Sequence, residues 1–215
     1  MSFGTPLSIA NNFDPSVSGL ADPVGTIVET VDGTKAWVKW GTGNTQWSPM
    51  HTVSGTFGTT KTTWDTTALV ANLACDTLGG FRLLLQGTTN ANCNLFIRVN
   101  GNSSLYYQYS DFTGYGSTAG TGSVVSSPGT ANIAVNNTAA KPFTIIIDCI
   151  SCKSGTALQV FTVTIVFYST VGNYLNRYCL ITLTGIPASE IQSVGIGSTV
   201  AGALDAITTA TLVRI

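Results

Sequence analysis

The sequence predicts an all-β protein, a sandwich or barrel of many short antiparallel strands. Three observations carry that expectation. Runs rich in β-branched and aromatic residues alternate apolar with polar positions through most of the chain after residue 80. Clusters of Gly, Asn and Ser break those runs at short intervals. No segment shows a capped amphipathic helix of useful length.

Taken in order, residues 1–24 contain two Asp-Pro pairs and scattered apolar residues, and read as an extended N-terminal arm. Residues 25–57 form a small β-hairpin module around KAWVKWGTGNTQW, with a composition shift near His51 to Gly58 marking its end. Within residues 58–215, TTALVANLAC (66–75) carries at most one helical turn. FRLLLQG (81–87), NLFIRVNG (94–101) and SLYYQYSDF (104–112) read as three strands. Residues 113–141 are rich in Gly, Ser, Thr and Ala, and read as a long connection with at most one strand, TANIAVN. TIIIDCI (144–150), LQVFTVTIVFYST (158–170) and YCLITLTGI (178–186) are the most strongly patterned strands, and SEIQSVGIGSTV (189–200) and AITTATLVRI (206–215) follow them. Asn100-Gly101, Ser154-Gly155 and Gly172-Asn173 supply turn chemistry between them.

Composition narrows the function. Of 215 residues 44% are hydrophobic, enough for a real core, but only 9% are charged, against roughly 25% in an ordinary soluble domain. Net charge is −1, which offers no basic face to phosphate backbones and disfavours nucleic-acid binding. No apolar run approaches the ~20 residues a spanning helix needs, so membrane insertion is not expected. The N-terminal stretch lacks the basic and apolar regions of a secretory signal, which predicts folding in a cytosol. A surface of Ser, Thr and Asn repels itself weakly and suits a protein held in an assembly.

The chain is poor in catalytic groups. His51 is the single histidine and Glu29 and Glu190 the two glutamates, and the aspartates mostly lie beside Gly, Thr or Pro as turn residues. There is no nucleophile elbow, metalloprotease helix motif, phosphate loop or dinucleotide fingerprint. Five cysteines make an odd number, unlike a secreted disulfide framework. Cys75, Cys93 and Cys179 sit in apolar runs as small buried hydrophobes. Cys149 and Cys152 form one CxxC, half of a zinc set with no second pair, and read as structural. The expectation is a non-enzyme with no catalytic residue, no cofactor and no metal site.

Trp37, Trp40 and Trp47, three of the four tryptophans, crowd into residues 35–47. Strand alternation puts Ala36, Val38 and Trp40 on one face and Lys35, Trp37 and Lys39 on the other. Three readings follow. Trp40 and Trp47 are core with Trp37 partly exposed between lysine stems; or Trp37, Lys39, Trp40 and Trp47 form an assembly contact; or Trp37 is a platform for a saccharide.

Two regions carry a resemblance. PVGTIVETVDGTKAWVKWGTGNTQWSPM resembles a short β module of tailed-bacteriophage virion proteins. That module has a Gly-rich lead-in, a strand ending in an aromatic-x-Lys-aromatic/Thr-Gly element, a turn and a Trp. These are Gly25, Trp37-Val38-Lys39-Trp40-Gly41 and Trp47 here. The remainder is similar to the jelly-roll domain that follows it in fibre, baseplate and head-decoration proteins, through FRLLLQG, IRVNGNSSLYYQY, IQSVGIGS (191–198) and ATLVRI (210–215). The VAGALDAIT insertion and residues 113–141 depart from it. The resemblance implies an antiparallel jelly-roll-like β-sandwich over residues 58–215, and a non-enzymatic virion protein. It also implies a homotrimer decorating capsid or tail beside the major capsid or tail protein, or else a receptor-binding tip that recognises host saccharide.

Overall fold

The computed structural model describes residues 6–101, 106–115, 118–128, 132–151, 159–170, 172–184 and 191–215. The protein is an antiparallel β-sandwich with a small sheet attached. The small sheet has the order β1-β2-β3-β4, from Leu7–Ile9, Ile27–Thr30, Ala36–Lys39 and Trp47–Pro49. The sandwich then takes β5 (Val53–Thr56), β6 (Thr63–Asp65), β7 (Phe81–Gly87), β8 (Cys93–Val99), β9 (Tyr106–Tyr115) and β10 (Thr118–Pro128). It is completed by β11 (Asn132–Asn137), β12 (Phe143–Ser151), β13 (Gln159–Tyr168), β14 (Tyr174–Thr184), β15 (Val194–Ser198) and β16 (Thr209–Arg214).

Eight strands form one sheet in the order β10-β9-β14-β13-β12-β7-β16-β5, and four form the facing sheet, β11-β8-β15-β6. Alternation explains the facing. Phe81, Leu83 and Leu85 of β7 are buried while Arg82 and Gln86 are exposed, and Cys93, Leu95, Ile97 and Val99 of β8 answer them from the other sheet. With Ile145, Ile147, Phe161, Val163, Ile165, Ile181, Val194, Ile196 and Leu212 they make one continuous core. On the outer face Arg82 of β7 forks onto Asp148 of β12, 2.7 and 2.9 Å away, and the pair are register partners. That hydrogen bond first, and the carboxylate's charge second, push the Arg82 guanidinium above its ordinary value.

The N-terminal arm is folded rather than simply extended. Leu7–Ile9 joins the small sheet as a parallel edge strand beside β2. Pro15–Ser18 closes one helical turn, α1, because Asp14 accepts from Ser16 N and Pro15 occupies the first turn. The sandwich begins upstream of residue 58, since β5 pairs with β16. Residues 66–75 hold a 3₁₀ turn, Thr66–Ala68, and Cys75 opens a second helical turn, α2 (Cys75–Leu78), instead of lying in a strand.

The largest departure concerns residues 113–141. They complete β9, form all of β10 and β11, and pair β10 with β9 over nearly its whole length. β10 stands at the edge of the large sheet, where ladder hydrogen bonds suffice and no apolar face is needed, so its Gly/Ser/Thr composition hides a strand. The Asn100-Gly101 turn adopts positive φ at both residues, 50° and 71°, as its sequence predicts. Ser154-Gly155, Cys152 and Glu190 lie outside the described residues.

Candidate functional site

The site with the most chemistry lies where the small sheet, α1 and the sandwich meet. The hairpin β2–β3 turns on Asp32, whose Oδ1 accepts from Thr30 Oγ1 at 2.6 Å and from Thr34 N and Oγ1 at 3.0 and 2.8 Å. The Thr30 bond first, then those from Thr34, hold this exposed carboxyl below its ordinary range. The register places Trp37 opposite Val28 on one side and Pro49 on the other, and Lys39 opposite Trp47.

Val28, Trp37 and Trp47 make a small core of their own, with Ile9 and Leu20 packed against it. Trp37 is 3% exposed and Trp47 fully buried. Trp40 is half-buried, and its Nε1 lies buried with no hydrogen-bond partner. The expected ranking is therefore reversed: Trp37 belongs to the interior and Trp40 to the margin. The reason is that Ile9 of β1 and Leu20, just after α1, pack on this cluster, which a two-stranded hairpin would leave open.

Lys39 is corrected in the same way. It is fully buried and does not flank Trp37 in solvent. Its Nζ donates to Leu20 O at 2.9 Å and Gly43 O at 2.5 Å, and lies 4.9 Å from the centre of the Trp47 ring. Trp47 Nε1 donates to Asn44 O at 2.9 Å and to the same Leu20 O at 3.2 Å. One lysine and one tryptophan thus tie the segment after α1 to the β3–β4 turn. Lys35 is exposed.

The other face of the sheet docks on the sandwich. Ser48 Oγ donates to Asn72 O at 2.9 Å, and Arg214 of β16 donates from Nη2 to Ser48 Oγ at 2.8 Å and from Nε to Pro49 O at 3.3 Å. Beside this seam a half-open cavity of about 120 Å³ is lined by Trp37, Trp47, Pro49 and His51, by Leu69 and Val70, and by Asp14 and Ser16 among others. His51 meets Trp37 edge to face, ring centres 5.0 Å apart, and its Nδ1 lies 3.0 Å from Ala36 O and 3.3 Å from Ala36 N. Ser16 Oγ donates to Asp14 Oδ1 at 2.6 Å. The serine is therefore engaged by the carboxylate and the imidazole by backbone, and among the described hydrogen bonds none joins imidazole to hydroxyl.

Elsewhere the described cysteines Cys75, Cys93, Cys149 and Cys179 are all buried in the sandwich core. Burial raises the Cys93 thiol, and hydrogen bonds with Ser198 and Thr89 offset part of that rise. Among the described residues no three His, Cys, Asp or Glu side chains come together. Sequence singled out Trp37, Lys39, Trp40 and Trp47, and three of these four share one interior. It missed Asp14, Ser16 and the Leu20 carbonyl, although the Asp14-Pro15 pair is a helix-start signal. Comparison of the chain with protein-family models, with curated proteins and with solved structures finds no match.

Proposed function

We propose that this chain is a non-enzymatic structural protein of a tailed-phage particle, a homotrimer that decorates capsid or tail and docks through its N-terminal module. The observation that supports docking there is the placement of exposed aliphatic side chains. Leu7, Val17, Val24 and Val31, between 50% and 77% exposed, all fall on the small sheet and its approaches. Four exposed aliphatic groups within one module offer apolar area to a partner. The motif order along the chain supports the particle reading, and the 9% charged content favours a protein held in an assembly. Trp37, Lys39 and Trp47 serve this surface from inside by fixing its shape, while the half-buried Trp40 is the member of the set able to touch a partner.

The test is Val17→Asp combined with Val31→Asp. Light scattering on purified protein should give a trimer for the wild type, and immunogold labelling should place it on virions. The variant should keep its circular dichroism and lose attachment. A monomeric wild type, or a variant that labels particles as well as wild type, would sink the reading. A second reading, a receptor tip that recognises saccharide, is favoured by exposed tyrosines on the outer face of the large sheet.

A further inference from the structure

We infer that the outer face of β13 and β14 is a saccharide-binding surface. The inference takes its ligand class from the second reading above and moves the site away from Trp37, whose ring is buried.

Along β14, Tyr174, Asn176 and Tyr178 point outward while Leu175, Arg177 and Cys179 point inward. Tyr174 is 53% and Tyr178 41% exposed. Four residues of strand set them about 13 Å apart, the span of several sugar rings rather than one. On one side the neighbouring strand β13 extends the face. Tyr168 is the register partner of Tyr174, Val166 of Asn176 and Thr164 of Tyr178. Tyr168 and Tyr174 meet edge to face with ring centres 4.9 Å apart, and Lys141 Nζ sits 5.2 Å from the Tyr168 ring centre. The rings are thereby braced before any ligand arrives, which lowers the ordering cost of binding.

The chemistry between the rings selects the ligand. Asn176 and Thr164 both donate and accept hydrogen bonds, as sugar hydroxyls do, and the aromatic faces suit the C–H faces of pyranose rings. A second copy of the chain, or another protein, would bury the Asn and Thr groups and the Lys141 amine against surfaces that must each supply a matching partner, or leave them unpaired at a cost. Among the described residues nucleic acid would meet one cation, Lys141, in this part of the face, and the chain's net charge of −1 offers it little further.

The experiment is an array of bacterial-surface glycans, with affinity electrophoresis in gels containing dextran or mannan, on full-length wild type and on Tyr174→Ala, Tyr178→Ala and Tyr174→Phe. Wild type should bind. Each alanine variant should weaken binding about tenfold, while the phenylalanine variant retains most of it because the ring is what stacks. Circular dichroism should be unchanged in all three. A wild type that binds no glycan in either format would overturn the site and the saccharide reading together. A wild type that binds while both alanine variants bind equally well would overturn this site alone. Alanine variants that change the oligomeric state by light scattering without affecting glycan binding would identify the face as a contact between copies instead.

Discussion

Lys39 sits in the interior of the small sheet, where its partners among the described residues are two carbonyls and one indole ring and no carboxylate pairs with it. Its stem fills space and its Nζ satisfies backbone acceptors, and substitutions separate the two contributions. Lys39→Ala should lose about 2–5 kcal/mol in urea unfolding, as for other large buried side chains. Lys39→Met keeps the volume and should lose about 1–3 kcal/mol, the worth of two charge-assisted hydrogen bonds, since Gly43 O keeps Gln46 N and Leu20 O keeps Trp47 Nε1 as donors. Equal losses for the two variants would show that the packing of the stem contributes nothing, and a Lys39→Met variant as stable as wild type would show the same of the hydrogen bonds. For the tryptophans, Trp37→Ala and Trp47→Ala should each cost about 3–5 kcal/mol, with Trp40→Ala clearly below them. Tryptophan fluorescence during unfolding checks the order. Cys93 gives a pH test. Burial raises its thiol in the folded chain, so the associated stability is whole below the ordinary thiol range and is lost as pH climbs through the raised value. Mass-resolved iodoacetamide labelling at pH 8 should leave Cys93 unmodified until denaturant is added. At this scale the sequence conveyed that the aromatic set belongs together. It did not convey which ring faces inward, because that depends on a strand contributed from residues 7–9 and a cap at Asp14.

At the scale of elements, β15 shows why a strand can carry two glycines. All five of its residues are buried, with Val194 and Ile196 in the core between β8 and β6. A methyl group at Gly195 would collide with the Trp64 carbonyl and lie 2.5 Å from the Asp65 Cα, and backbone atoms cannot swing aside. Gly195→Ala should therefore cost about 3 kcal/mol, at the upper end of overpacking losses. A variant as stable as wild type in thermal unfolding would refute this close approach of β6 and β15. The strongly patterned strands, β7, β8, β12, β13 and β14, were legible because each has one face in the core. The edge strand β10 was not, because its run of Gly, Ser and Thr carries no apolar alternation to read. The short helical turns α1 and α2 were likewise too brief to leave a period.

At the scale of the whole molecule, the small sheet is held to the sandwich by Arg214, Ser48 and Asn72. Arg214→Ala should loosen that attachment while the eight-stranded sheet stays folded. Limited proteolysis should then cut faster near residues 50–53, and unchanged cleavage would mean that apolar packing alone fastens the module. The terminal apolar-Arg pattern was visible in sequence, but its partner was not, because Ser48 stands 166 residues away. That separation also bears on biogenesis. β16 lies inside the large sheet between β7 and β5, so neither neighbour finds its full complement of partners until residue 214 has left the ribosome. Such non-local closure is slow and leaves strand edges open to other nascent chains meanwhile. Yield in a recombinant host should consequently respond to growth temperature and chaperone supply more than to codon choice early in the message.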